Sequence, residues 1–261
     1  MKKLAIIIPF GITLIIVVGI PAGFGLVLLV LLSVIWILLW LGLYYYMKQI
    51  HFYRDPKRSP DDPDIKAIVS PADGRLIYIR QVKDGKIVSN KLDTAIELTE
   101  VTKFPGNEDL KEGWLMGVYM SPADVHFNYS PIAGQVKAVY KHQAKVNLPM
   151  IDMWEYINFM FLRRAVDLFT RRFHFENERT TLLIETPELK TIVVMIADKF
   201  VNKIRLFVKE DQALEKSTKL GFIDRGSQAD LFIARTDIEI TAKVGQKMYG
   251  GKTVVARLKQ L

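Results

Sequence analysis

The chain has 261 residues, a formal net charge of +8 at pH 7 and no cysteine. Disulfides, cysteine-ligated zinc and thiol catalysis are therefore excluded. A basic balance suits nucleic acid or an anionic membrane surface. Because the sequence carries no nucleic-acid-binding motif and begins with a long apolar stretch, we expect a membrane partner and no nucleic acid.

The apolar stretch of residues 4–47 contains no charged residue. A membrane-spanning helix needs about 20 apolar residues, so this stretch is long enough to cross a bilayer twice. Helix-breaking residues lie in its middle, at 20–25. The pattern predicts a transmembrane helical hairpin of residues 4–20 and 26–46, within a first domain of residues 1–48; one crossing is the alternative. The stretch is too long for a cleaved signal peptide.

Positive charge flanks both ends of this stretch, with Lys2 and Lys3 before it and Lys48 and Arg54 after it. Lysine and arginine are enriched on the cytoplasmic side of transmembrane helices. We therefore expect both ends to be cytoplasmic. The predicted localisation is integral to the cell membrane, with the following domain facing the cytoplasm.

Residues 49–64 are polar and carry three prolines, which predicts a linker. In residues 65–261, short apolar runs alternate with turn sequences, which is typical of a mainly β domain of the α+β class. The turn SPADG at 70–74 returns as SPIAG at 130–134, each time before a strand. Repeated hairpins of this kind occur in compact sandwiches resembling the lipoyl and biotinyl carriers. The predicted strands are residues 67–69, 75–80, 86–88, 95–98, 113–120, 135–140, 180–185, 191–197, 204–208 and 252–258.

Residues 145–178 combine many aromatic and apolar residues with four arginines at helical spacing. Two interpretations stay open for this segment. It is either a helix packed on the sheet or an interfacial segment that lies among lipid headgroups.

The polar sequence DRGS at 224–227 lies between two apolar runs, which predicts a hairpin turn. The Gly226–Ser227 peptide bond also permits a reaction. Glycine leaves its carbonyl open, and the Ser227 hydroxyl can reach that carbonyl through a five-membered ring. Acyl transfer from nitrogen to oxygen, followed by elimination, would break the chain and leave a pyruvoyl group. That group is an electrophilic ketone, which no coded side chain provides.

Gly226 and Ser227, followed by ADLF at 229–232, resemble the processing site of the short, pyruvoyl-dependent phosphatidylserine decarboxylases. Other stretches are similar to the same family and occur in the same order, so the resemblance covers roughly residues 51–261. They are HFYRDP at 51–56, SPADG at 70–74, MSPADVH at 120–126, SPIAG at 130–134, ENER at 176–179 and KVGQK at 243–247.

The resemblance implies self-cleavage between Gly226 and Ser227 into a long and a short chain that stay associated. It also implies a covalent pyruvoyl cofactor derived from Ser227. The implied reaction converts phosphatidylserine in an anionic phospholipid membrane to the ethanolamine phospholipid and CO₂. Decarboxylation of archaetidylserine, which has the same headgroup chemistry, is an alternative. No metal-ligand spacing is present, and the sequence leaves open whether the enzyme forms a homodimer.

The same resemblance implies four catalytic residues. Ser227 supplies the cofactor, and His126 matches the family histidine implicated in proton transfer. Asp73 matches the aspartate of the SPADG turn, which orients a base or assists cleavage. A turn residue that bonds its own backbone is the alternative for Asp73. Asp124 is a further candidate of the same kind.

The sequence departs from the family at two positions. Long bacterial members carry a second histidine, assigned to self-processing, three residues after the first; here Tyr129 stands there, and a tyrosine is a poor base near pH 7. Either His126 serves both steps, another group activates Ser227, or processing is slow. Arg225 replaces a usual aromatic residue, and it either contacts the substrate phosphate or is exposed. Tyr129 is the other candidate for substrate contact.

Two alternative hypotheses remain at this point. One is a non-enzymatic, membrane-tethered scaffold built on a lipoyl-like sandwich, and the other is a relative that never processes itself. A carrier would need a lysine in a modification motif at a hairpin tip, and adaptors usually carry long coiled-coil heptads. The sequence has neither.

Overall fold

The computed structural model of the protein describes residues 22–88, 95–107, 110–144, 147–150, 172–198, 204–224 and 227–259. The chain forms two compact units, Met1–Tyr53 and Arg54–Leu261.

In the described part of the first unit, helix α1 spans Ala22–Tyr46 and continues into a π-helical turn, Met47–His51. At 1.5 Å per residue, α1 is about 38 Å long, against about 30 Å for the hydrocarbon core of a bilayer. The stretch Phe24–His51 is long and apolar enough to cross a membrane, judged by length and composition. The predicted helix 26–46 is confirmed, whereas the predicted helix 4–20 lies outside the described residues.

The second unit is mainly β, as the alternating pattern predicts. Each predicted strand is confirmed, with ends that shift by a few residues, and Leu98 begins a short helix instead of ending a strand. The elements are β1 (Ala67–Val69), β2 (Gly74–Lys83), β3 (Lys86–Val88), β4 (Ala95–Glu97), α2 (Leu98–Thr102), β5 (Gly113–Met120), β6 (Phe127–Tyr129), β7 (Gly134–His142), α3 (Phe173–Glu176), β8 (Arg179–Glu185), β9 (Lys190–Ala197), β10 (Ile204–Leu206), β11 (Ala213–Leu214), β12 (Lys219–Ile223), β13 (Ser227–Ile233), β14 (Ile238–Ile240), β15 (Lys247–Met248) and β16 (Val254–Leu258).

Ten of the described strands form one antiparallel sheet, in the order β11-β7-β8-β9-β13-β5-β2-β3-β4, with β15 paired to β2. Two further sheets have three strands each, β1-β16-β14 and β10-β12-β6. Strand β13 lies in the middle of the large sheet and pairs along its whole length with β5 and β9. All seven of its residues are buried, as expected for a strand that is covered on both faces.

Two hydrophobic clusters cover the two faces of this sheet, because alternate residues of a strand point to opposite sides. Ala229, Leu231 and Ile233 join a cluster that includes residues of both small sheets. Phe232 joins the other cluster, which includes residues of β3, β4 and α2. The small sheets thus pack on one face of the large sheet. On the other face, the curled end of the same sheet, formed by β3 and β4, packs together with α2.

The hairpin predicted around residues 224–227 is wrong. The apolar runs on both sides are strands, but β12 pairs with β10 and β6, whereas β13 pairs with β5 and β9. The chain therefore passes from one sheet to another at this point. A local turn signal cannot distinguish these cases, because strand partners come from distant parts of the sequence.

Most of the segment 145–178 lies outside the described residues. The described parts are residues 147–150 and 172–178, and the latter include α3. Neither the packed-helix interpretation nor the interfacial one is tested by them.

Candidate active site

Ser227 is the first residue of β13 and is fully buried. It lies between Met120 of β5 and Ala197 of β9. Its Oγ donates to Met120 Sδ at 3.2 Å, and a thioether is a weak acceptor. Arg225 and Gly226 lie outside the described residues. The serine hydroxyl thus lies at the end of a central strand, and its hydrogen bond to Met120 is weak.

The loop between β5 and β6 is closed by Asp124. The backbone N and the Oγ of Ser121 donate to Asp124 Oδ2 at 2.9 and 2.7 Å, and Asp124 N donates back to Ser121 O at 2.8 Å. Lys247 of β15 forms an ion pair with Asp124 Oδ1. Burial raises the pKa of the Asp124 carboxyl, but Lys247 and the Ser121 donors outweigh it and hold the pKa below its usual value.

His126 ends this loop and is fully buried. Its Nδ1 lies 3.0 Å from the Asp124 carbonyl oxygen; because a carbonyl only accepts, Nδ1 carries the proton in this pair. Burial lowers the pKa of His126 to about 4. The ring is therefore neutral at pH 7. Its backbone carbonyl accepts a hydrogen bond from Ile223 N at 3.2 Å, just before residues 224–227.

Asp73 lies in the turn between β1 and β2. Both carboxylate oxygens accept hydrogen bonds from Nη2 of Arg58, at 2.8 and 2.7 Å, and Oδ1 also accepts from Gly250 N at 2.8 Å. The carboxylate thus bonds to distant parts of the chain, in contrast to the predicted alternative of a turn residue that bonds its own backbone. Burial raises the pKa of Asp73, although Arg58 and Gly250 oppose the change.

Tyr129 of β6 packs its ring against two glycines. A Cβ atom on Gly250 or Gly251 would lie 2.8 or 3.1 Å from the ring, so larger residues there would displace it. The Arg58 guanidinium lies 5.9 Å from the ring centroid. Burial raises the pKa of the Tyr129 phenol, which makes it a still poorer base at pH 7 than an exposed tyrosine.

The β6 strand connects these groups. On one side it pairs with β12, which leads to residues 224–227, and on the other Asn128 forms an isolated bridge with Ala72, next to Asp73. The structure therefore gathers Asp73, Asp124 and Tyr129 around β6 and the loop before it. Ser227 lies beside Met120, where that loop begins.

A second buried polar cluster lies behind Ser227. His174 Nε2 lies 2.8 Å from Asp230 Oδ2 and 3.2 Å from Tyr78 Oη. Gln228 Nε2 donates to Asp230 Oδ1 at 2.7 Å and to Tyr78 Oη at 3.2 Å. Gln228 and Asp230 alternate with Ser227 and Ala229 along β13, so this cluster occupies the opposite face of the sheet.

Arg179 supports the second cluster from β8. Its side chain is fully buried and donates to three carbonyl oxygens, of Val101 at 2.5 Å, His174 at 2.8 Å and Asn177 at 3.1 Å. Burial lowers its pKa to about 10, so it stays cationic at pH 7. Arg179 thereby ties α2 and α3 to the sheet.

Sequence reasoning missed several of these contacts. In the sequence, Arg58 stands out only as one of the positive charges after the apolar stretch, and Lys247 only as part of the KVGQK stretch. His174 and Asp230 carry no sequence signal of a role. No local signal pairs them, since the partners are far apart in sequence. In the described part of the chain, no group of three or more His, Asp or Glu residues is arranged to hold a metal ion.

Comparison with known proteins gives a consistent picture. The phosphatidylserine decarboxylase family model matches residues 49–256. A phosphatidylserine decarboxylase proenzyme of Carboxydothermus hydrogenoformans is 30% identical over 224 residues, which are 84% of this chain and 85% of that protein. One from Magnetococcus marinus is 28% identical over 211 residues, 80% and 78% of the two chains. A protein of Methanocaldococcus jannaschii, named "putative archaetidylserine decarboxylase proenzyme", is 31% identical over 207 residues, 79% and 88% of the two chains.

Proposed function

The chain belongs to the phosphatidylserine decarboxylase family and is a carboxy-lyase of that type; on this premise we propose that it cleaves itself between Gly226 and Ser227. The resulting enzyme decarboxylates the headgroup of a serine phospholipid at a membrane surface. The observation that carries the proposal is Ser227 itself, which is fully buried at the start of β13, where the chain has left the small sheet of β12 for the large sheet.

The cleavage step needs only groups of this chain and water. Ser227 Oγ attacks the Gly226 carbonyl carbon and gives up its proton, and the C–N bond breaks as the nitrogen of residue 227 gains a proton, which leaves an ester and a free amine. Elimination then removes the Cα proton of residue 227, expels the Gly226 carboxylate, breaks the chain and leaves a dehydroalanine at residue 227. Addition of one water and loss of one ammonia leave the pyruvoyl group on residue 227. We assign the transfer of the Ser227 hydroxyl proton to His126, a buried and neutral histidine in the loop that begins after Met120, the residue paired with Ser227.

The surroundings of Ser227 fit a pyruvoyl group. The hydroxyl is bonded to a thioether sulfur, so its conversion sacrifices no strong hydrogen bond, and the neighbouring Met120 and Ala197 are apolar. Such a group supplies a ketone that takes up the substrate amine and accepts the electron pair left as CO₂ departs. We assign to His126 the transfer of a proton back to the substrate carbon, and the Asp124 carbonyl oxygen, 3.0 Å from Nδ1, orients the ring for it.

The pairing of β13 supports the proposal that both chains stay associated. Residues 227–233 pair with β5 on one side and β9 on the other. A cut before Ser227 leaves these ladders intact, because the chain enters β13 from a different sheet and not from a partner strand. The short chain therefore keeps its place in the core.

We also propose that the enzyme is integral to the cell membrane and faces the cytoplasm. The apolar helix α1, the positive flanks of the N-terminal stretch and the lipid substrate of the family support this. Phosphatidylserine and archaetidylserine differ in their tails and share the reacting headgroup. The Methanocaldococcus relative supports the archaetidylserine alternative, and the Carboxydothermus relative supports phosphatidylserine. Assays on both lipids decide between them.

The test is the intact mass of the purified full chain in detergent. We expect a fragment of residues 227–261 that is lighter by one ammonia than hydrolysis would leave it. Ser227→Ala should abolish both cleavage and decarboxylation. Ser130→Ala is the matched control, because Ser130 is also buried and its Oγ donates to the Ile132 carbonyl oxygen in a turn; this variant should still be cut. A cleaved and active Ser227→Ala protein would refute the proposal.

A further inference from the structure

Arg58 reaches from the predicted linker into the body of the second unit. Its side chain is 10% exposed, and that of its partner Asp73 is 6% exposed. The guanidinium carbon lies 5.9 Å from the centroid of the Tyr129 ring and 6.0 Å from that of the Tyr249 ring. A cation enclosed in this way by a carboxylate and two aromatic faces is fixed in position and largely shielded from water.

Arg58 is also the cation that compensates Asp73. The ionisable groups acting on Asp73 are Arg58 from the linker and Asp124 from the β5–β6 loop, and Asp124 is itself neutralised by Lys247 of β15. Tyr129 of β6 contributes no negative charge at pH 7, since burial raises the pKa of its phenol. Asp55 acts on Tyr129 but is paired with Lys219.

We propose that Arg58 is a positioning residue for self-processing: it keeps Asp73 in its carboxylate form and holds it beside Tyr129. The inference rests on the proposed function. The family's second histidine is replaced by Tyr129. The Tyr129 ring lies beside the guanidinium of Arg58, which forms the ion pair with Asp73. Aspartate, arginine and tyrosine thus form one unit on the side of the site where a histidine and an aspartate would otherwise stand.

Loss of the Arg58 charge should change how the rate of self-cleavage depends on pH. Burial raises the pKa of Asp73, and the Arg58 charge opposes that rise. Removing the positive charge must therefore raise the pKa further. Less carboxylate is then present at a given low pH, and cleavage that depends on it should begin at a higher pH. A shift of one pH unit corresponds to about a tenfold lower rate on the acid limb of the profile.

The full chain is made by cell-free synthesis in the presence of lipid nanodiscs, and its cleavage is followed from pH 5 to pH 9. The readout is the mass-spectrometric ratio of fragment 227–261 to the whole chain over time. We expect Arg58→Met to move the acid limb upward by about one pH unit or more and to recover at high pH. Arg58→Lys, which keeps the charge, should restore the limb towards wild type. Arg257→Met is the control, because Arg257 pairs with Asp62 of the same linker; its profile should match wild type.

Two results would overturn the inference while leaving the proposed function intact. One is a wild-type pH profile for Arg58→Met. The other is a rate that falls equally at every pH and is not restored by Arg58→Lys, which would mean that Arg58 acts only through stability. A wild-type chain that stays whole at every pH would instead contradict the proposed function, and the inference with it.

Discussion

At the scale of single residues, burial acts on His126 and Asp73 in opposite directions. It lowers the pKa of the histidine to about 4 and raises that of the aspartate, and in both cases it disfavours the charged form. The histidine bonds a carbonyl through Nδ1–H and stays neutral. The aspartate is enclosed with an arginine. The residues around β6 and the loop before it thereby include a neutral histidine and a charge-compensated carboxylate.

His126 makes stability depend on pH. Its pKa is about 4 in the folded chain and about 6.5 when unfolded, so the unfolded chain binds more protons in that interval and stability falls as the pH drops from 6.5 to 4. The contribution approaches about 3 kcal/mol at pH 4. We expect Ser227→Ala/His126→Asn to lose this dependence relative to Ser227→Ala, measured by urea unfolding in detergent.

His142 provides the control for this prediction, because burial also lowers its pKa but the ring is only partly covered. His142→Gln should change the pH dependence less than His126→Asn does. Equal effects of the two substitutions would show that burial of His126 is not the cause.

At the scale of secondary structure, the two faces of β13 contact different neighbours. Ser227 and Ala229 face the cluster that includes the small sheets, whereas Gln228 and Asp230 bond Tyr78 and His174 on the other side. Because β13 is paired on both sides and its polar side chains are hydrogen-bonded on one face, the position of its first residue is tightly constrained. The anchors, Gln228 and Asp230, lie within three positions of Ser227.

Removing the Asp230 carboxylate should loosen this strand. Asp230→Leu leaves the donors of His174 and Gln228 without that acceptor, and each buried donor without an acceptor costs about 1–3 kcal/mol. We expect a loss of about 3 kcal/mol in the free energy of unfolding of the uncut Ser227→Ala chain. Asp237→Leu is the matched control, since its pair with Arg235 is partly exposed and should matter by about 1 kcal/mol or less. Equal losses would contradict an anchoring role for Asp230.

At the scale of the whole molecule, the chain joins an apolar helix to a β domain of a lipid-metabolising family. The helix α1 exposes apolar side chains along its length, which is unfavourable in water and favourable in a bilayer. The domain carries Ser227 at the end of β13 in its large sheet. A membrane anchor would keep such a site near substrates that do not leave the bilayer.

Charges in the middle of α1 should weaken membrane attachment. An arginine at the centre of a spanning helix costs about 2.5–3.5 kcal/mol, so Val34→Arg/Leu38→Arg should shift the protein from the membrane to the soluble fraction after alkaline extraction. Tyr46→Arg at the helix end is the control and should stay membrane-bound. Retention of the double variant would show that α1 is not required for attachment.

The sequence by itself determined the strands of the β domain, helix α1 and the family. Strands are predicted by local patterns of alternating or continuous apolar residues, as in Gly113–Met120. Short motifs such as SPADG likewise identify single candidate residues for the site. Only the tertiary structure decided which strands pair, and it separated β12 from β13 where a hairpin was predicted. It also brought Arg58 to Asp73 and His174 to Asp230. These contacts depend on how distant segments pack together, and packing is a property of the whole core that no short stretch of sequence encodes.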